Sequence, residues 1–163
     1  MTRLDPVLST LVDGLDEAFD HQSWHGTNLR GSMRGLNAVE ASFRPGPGRH
    51  NVWEIAVHAA YWKYAVRRRL TGEKRGSFVL KGSNWFVRPA PGTADLDAAW
   101  AADSRLLIHE HLLLKEAVAA MDPARLARKV GRSKVTAAVL IRGIAAHDLY
   151  HAGQIQIIKR LMG

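Results

Sequence analysis

Leu140-Ile141-Arg142-Gly143-Ile144-Ala145-Ala146-His147-Asp148-Leu149-Tyr150-His151-Ala152-Gly153-Gln154-Ile155-Gln156-Ile157-Ile158 repeats its apolar residues with the period of an α-helix. The pattern predicts a last helix from about Lys134 to Leu161, with Leu140, Ile144, Ile155 and Ile158 on one face. His147 and His151 fall on that same face. With His147 at zero on a wheel of about 100° per residue, His151 lies about 40° away, and Leu140, Ile144, Gln154 and Ile158 flank the pair. Both imidazoles therefore point inward. Residues four apart stand on consecutive turns, so their ring nitrogens can converge on one cation about 2 Å from each.

A third inward imidazole comes from a second long pattern. Asn51 and Glu54 have the form of a capping box, in which each side chain satisfies a backbone N–H at a helix start. The helix they open runs to about Leu70 and is closed by Thr71-Gly72. On its wheel Ile55, Trp62 and Ala65 lie within about 60° of His58, which places that ring in the interior as well.

Two further helices complete the count. Leu4, Val7, Leu8, Leu11, Leu15 and Phe19 mark a first helix, whose pattern breaks at Ser23-Trp24-His25-Gly26 and resumes from Thr27 to Leu36 as a kinked continuation. Leu96, Trp100, Leu107, Leu114, Val118 and Met121 mark a third long helix over Asp95 to Met121, stopped by Asp122-Pro123. Arg44-Pro45-Gly46-Pro47-Gly48 is a loop, and Arg125 to Ser133 is a polar connection in which Lys129-Val130 has extended character. The stretch from Gly72 to Thr93 is too long for a tight turn and suits two helices that are not antiparallel neighbours. The expectation is an all-α four-helix bundle with a long crossover between the second and third helices, a fold that builds metal sites from inward side chains.

The 163 residues fit a single domain spanning 1–163. No apolar run is long enough to cross a bilayer, and Met1 to Asp20 lacks the plan of an export signal, so a soluble, cytoplasmic protein with no membrane partner is expected. Zero cysteines exclude a disulfide framework, a thiolate metal site and a cysteine nucleophile. Any metal must be held by nitrogen and oxygen. The formal charge of +8 favours anionic partners, yet the basic clusters at Arg67-Arg68-Arg69, Lys74-Arg75 and Arg125 to Lys134 accompany no recognition motif, and no nucleic acid is expected.

A lone histidine on an apolar face is ordinarily a hydrogen-bonded core residue. Three together change the balance, because one shared cation satisfies nitrogens that are costly to bury alone. His109 and His111, two apart, point to different helix sides and are not expected as ligands, while His21 and His50 read as surface residues. His25 either bonds within the bundle or approaches a cleft. Asp148, about 100° from His147, reads as a charge on the helix face or a partner to a ligand, and Gln154 as a residue that holds a ligand imidazole. Gly153 reads as a close approach of backbones. Trp24, Trp53, Trp62 and Trp100 read as core, and Trp85 as the tryptophan lining a cleft.

Ser23-Trp24-His25-Gly26, Arg44-Pro45-Gly46-Pro47-Gly48-Arg49-His50-Asn51-Val52-Trp53-Glu54 with His58 downstream, and Ala145-Ala146-His147-Asp148-Leu149-Tyr150-His151-Ala152-Gly153-Gln154-Ile155 together resemble the DinB-like (YfiT-type) metal-binding bundle family. The likeness spans nearly the whole chain and departs from the family mainly in the basic, aromatic crossover from Lys74 to Arg88. It implies a four-helix bundle with a divalent metal, zinc or nickel, on one histidine of the second helix and two of the fourth. Those positions are His58, His147 and His151. Relatives include transferases and isomerases that use low-molecular-weight thiols, and others that look like hydrolases.

Three readings of function follow. A metal-dependent enzyme acting on a small-molecule substrate, such as a thiol-dependent transferase, uses the coordination positions that three protein ligands leave open. A metal-dependent hydrolase would use the same positions for water. A non-catalytic, stress-associated metal-binding protein would use the ion only to tie two helices. The outer helix faces leave room for a homodimer.

Overall fold

A computed structural model describes residues 4–131 and 134–163; Met1–Arg3 of the N-terminal stretch and Arg132–Ser133 of the polar connection lie outside the described residues. Asp5 opens α1 (Pro6–Phe19) by accepting from the backbone N–H groups of Val7 and Leu8, and Leu8, Leu15, Ala18 and Phe19 form its buried stripe. The expected continuation from Thr27 to Leu36 is instead broken into single turns. Gly26 and Gly35 take left-handed φ values of 102° and 81°, which an α-helix cannot continue through, and Asn28 and Asn37 cap α2 (Leu29–Ser32) and α3 (Ala38–Ala41).

α4 (Val52–Thr71) has the capping box read from the sequence, with Asn51 and Glu54 each satisfying the other's backbone N–H, and it ends at Gly72 with a left-handed φ of 83°. Every residue from Val52 to Ala60 is buried, so this end of α4 is enclosed on all sides. α5 (Leu96–Ala119) follows the crossover, a 3-10 turn at Pro123–Arg125 follows α5, and Thr136 caps α6 (Ala137–Leu161). The extended character expected at Lys129-Val130 amounts to one isolated antiparallel bridge, Lys129 to Thr136; among the described residues there is no strand.

The all-α class is as expected, and the packing of four long helices, α4 on α5 and α6 and α1 on α5 and α6, is compatible with a four-helix bundle. No helix among the described residues is long and apolar enough to cross a membrane. Two apolar layers of the core span the long helices, and a third cluster gathers Ala38, Ala41, Trp53, Val57 and Phe86. One layer gathers Leu8, Val66, Leu70, Leu114, Val118, Ile141 and Ile144, the other Phe19, Ile55, Ala59, Leu107, Ile155 and Ile158. α1 and α6 enter the first layer early and the second late, whereas α4 and α5 do the reverse. α4 and α5 are therefore parallel neighbours, and the chain must return about 30 Å along the bundle between them. That geometry is the reason for the crossover.

Between the two layers every long helix contributes a polar residue. Lys63 of α4 and Asp148 of α6 form an ion pair in which both side chains are 0% exposed. Lys63 Nζ also lies 3.4 Å from Nδ1 of His111 and 4.8 Å from the centre of the Phe19 ring. His111 Nε2 donates to Asp16 at 3.1 Å, and Lys115 closes the chain on Asp16 at 2.8 Å. Burial pushes the Asp148 carboxyl up to about 6 against the pull of the Lys63 ammonium. Burial, with Lys63 nearby, holds the His111 imidazole down at about 4.

Replacing Lys63 alone with methionine strands a buried carboxylate and is expected to cost about 3–5 kcal/mol in denaturant unfolding, most of which Lys63→Met/Asp148→Leu recovers. The unfolded His111 takes up a proton near its ordinary 6.5 and the folded one only near 4. Its contribution is complete above about 6.5 and is lost as pH falls toward 4, by about 3 kcal/mol. Unfolding free energy measured across that window should fall less steeply in His111→Gln than in the wild type.

Candidate metal centre

α4 and α6 cross at the polar layer, and there the three inward histidines meet. His58 Nε2 and His151 Nε2 each lie 3.1 Å from Nε2 of His147. His58 and His151 are buried and His147 is half-buried. The outer nitrogen of His58 donates to the backbone carbonyl of Asn84 at 2.9 Å, and that of His151 donates to Oε1 of Gln154 at 2.7 Å. Those two hydrogen bonds fix the tautomers. Both Nε2 atoms then present lone pairs toward His147 Nε2, which has at most one proton to offer. One lone pair is left facing another nitrogen.

A cation resolves that conflict. Two ligand nitrogens about 2.0–2.1 Å from one ion in tetrahedral array stand about 3.3 Å apart, close to the 3.1 Å found here. The protonation states agree. Burial lowers His58 to about 4 and His147 to about 3, the latter helped by its two neighbouring imidazoles, and burial also lowers His151. All three are neutral donors at neutral pH. His147 Nδ1 is buried with no hydrogen-bond partner among the described residues, so no hydrogen bond to its outer nitrogen orients the ring.

The crossover forms the wall of the site. Asn84 takes a left-handed φ of 67°, which lets its carbonyl receive His58 while its side-chain oxygen receives the indole N–H of Trp62 at 2.9 Å. Trp85 lies between two imidazoles, stacked at 3.8 Å on His58 and 3.6 Å on His50. His50 in turn bonds Glu54, which Arg44 holds through both carboxylate oxygens. Burial alone would raise the Glu54 carboxyl, but the Arg44 and His50 hydrogen bonds bring it below its ordinary value. A groove of about 620 Å³ opens past His151, lined by Trp85, Tyr150, Gln154 and Ile157 with Arg49 at its side. Among the described residues no carboxylate lines it.

His58, His147 and His151 are thus brought together, Gln154 holds an imidazole as expected, and Trp85 lines the cleft. Asp148 differs. It turns fully inward as the partner of Lys63 instead of standing on the helix face, because the buried face of α6 is centred between His151 and Asp148 rather than on His147. A Cβ at Gly153 would meet no atom within 4 Å, so no close backbone approach occurs there. Trp24, expected in the core, is 101% exposed. His25 and His109 are also exposed.

Lys63, Asn84 and the Asp16–His111 pair were not singled out from the sequence. A lysine within Ala59-Ala60-Tyr61-Trp62-Lys63-Tyr64-Ala65-Val66, and an aspartate in the apolar α6, were the available signals for the ion pair. Asp16, Asp20 and His111 also place ligand atoms within 4.8 Å of one another. Their charges are already met: Lys115 and His111 occupy Asp16, and His21 and Arg30 occupy Asp20.

Comparison with curated proteins and with solved structures returned no match. A family model described as the DinB superfamily matches residues 21–155, which includes all three histidines and the crossover. With that match over most of its length, beside an all-helical fold and a three-histidine group able to hold a metal, the chain belongs to the DinB superfamily.

Proposed function

We propose that this chain holds a divalent metal ion on His58, His147 and His151 and uses it as an enzyme on a small molecule, in a thiol-dependent transfer. The observation that supports the metal is the convergence of three neutral Nε2 atoms at 3.1 Å with their outer nitrogens engaged or buried. Imidazole donors without thiolate or carboxylate suit zinc or nickel. Bound there, a divalent cation supplies Lewis acidity and lowers the pKa of a thiol or water that reaches it.

The residues around the groove favour transfer to a thiol over hydrolysis. Glu54 is committed to Arg44 and His50, and Asp148 to Lys63, so neither carboxylate is free to take a proton from water in the groove. The chain has no cysteine, so the sulfur nucleophile arrives with a low-molecular-weight thiol. In the transfer, a carbon–sulfur bond forms as the bond from that carbon to its leaving group breaks, and the thiol proton departs with the leaving group. Trp85, Tyr150 and Ile157 give the electrophile an apolar bed beside His151 and limit competing water.

After addition of zinc or nickel and desalting, wild type is expected to retain one metal per chain, and His58→Ala, His147→Ala and His151→Ala each to bind at least about tenfold more weakly. Equal metal contents in all four proteins would overturn the assignment. With metal loaded, a panel of electrophiles and thiols should show turnover that a chelator abolishes. Ile157→Asp should then raise KM for apolar electrophiles by about tenfold or more while leaving metal content unchanged. Metal binding without any chelator-sensitive turnover would leave a non-catalytic metal protein.

A further inference from the structure

A second cleft, of about 580 Å³, lies between α4 and the crossover, and its chemistry is the opposite of the groove's. Arg68, Arg69, Arg75 and Lys81 line it, and no carboxylate among the described residues does. Other arginines nearby are matched: Arg67 by Glu73 and Glu110, Arg88 by Asp103, Arg44 by Glu54. In the cleft Arg75 and Lys81 have no hydrogen-bond or ion-pair partner among the described residues. Arg69 lies 5.9 Å over the Trp62 ring, and Arg68 reaches only a backbone carbonyl, that of Glu73, at 3.4 Å.

The cleft has a fixed frame. The Tyr64 hydroxyl accepts from the backbone N–H of Gly76 at 3.2 Å and from Ser77, which pins the crossover to α4. Phe78 packs against Tyr61 and Tyr64 behind it. Trp62 is shared with the histidine site, 6.3 Å from His58 and from His147 between ring centres. Four unneutralised cations around one concave surface repel one another and focus a positive potential into it. A single surface charge invites no particular ligand; four around a walled cleft with an aromatic side match an oxyanion carrying two or more charges.

We propose that this cleft binds a small, multiply charged oxyanion, a phosphate ester or a polycarboxylate, with its carbon body against Trp62. The cleft stands apart from the metal reading, since none of the three histidines lines it. The phosphate and carboxylate forms are distinguished by phenyl phosphate and phthalate, titrated into the full chain by calorimetry at low salt. One of the two is expected to bind once per chain with submillimolar affinity, about tenfold or more above its affinity for Arg75→Glu/Lys81→Glu. Both substituted residues are exposed, and unchanged helical circular dichroism and melting temperature would show that the double variant folds. His58→Ala should retain the binding. The proposal is overturned if neither probe binds below about 10 mM, if the double variant binds as tightly as wild type, or if His58→Ala abolishes binding.

Discussion

The ion pair between Lys63 and Asp148 is the constraint on which the site rests. Two charges wholly removed from water lose several kcal/mol of hydration each, and only a close, well-placed partner returns it. The pair can therefore form in one relative placement of α4 and α6. Lys63 stands five residues beyond His58, and Asp148 is the immediate neighbour of His147. Fixing the pair fixes the height and rotation at which the three imidazoles meet.

The pair is also the centre of a polar layer held between two apolar ones. α1 gives Asp16, α5 gives His111 and Lys115, and the sequence of contacts runs from helix to helix across the bundle. An apolar core permits many side-chain packings of similar energy, while charged groups at mid-depth tolerate few. The parallel run of α4 and α5 has a second effect. It forces a long return segment, and that segment brings Asn84 and Trp85 to the open side of the histidines.

Much of this was legible from residue spacing. The Asn51–Glu54 capping box, the ends of α4 and the inward histidines follow from local chemistry and helical period, both of which act within a few residues. What was illegible depended on partners far away in the chain. A wheel centred on His147 misplaces the buried face of α6, because Lys63, 85 residues from Asp148, selects which side turns inward. The same holds for Trp24: apolar character suggested burial, but the turn at Gly26 leaves it no neighbour to cover it. Asn84 carries no apolar or charged signature, and its role comes from a backbone angle.

Asn84 and Trp85 give the centre a mechanical property. One residue's carbonyl orients His58, the next residue's ring covers it, and the same asparagine side chain holds Trp62. Aim and shelter are therefore not separable in this molecule. Lifting residues 84–85 to widen the entrance would free the His58 ring to rotate in the same motion. On the function proposed above, a ligand that entered on the Trp85 side without displacing it would meet an imidazole held in place, and one large enough to displace Trp85 would release that imidazole as it entered.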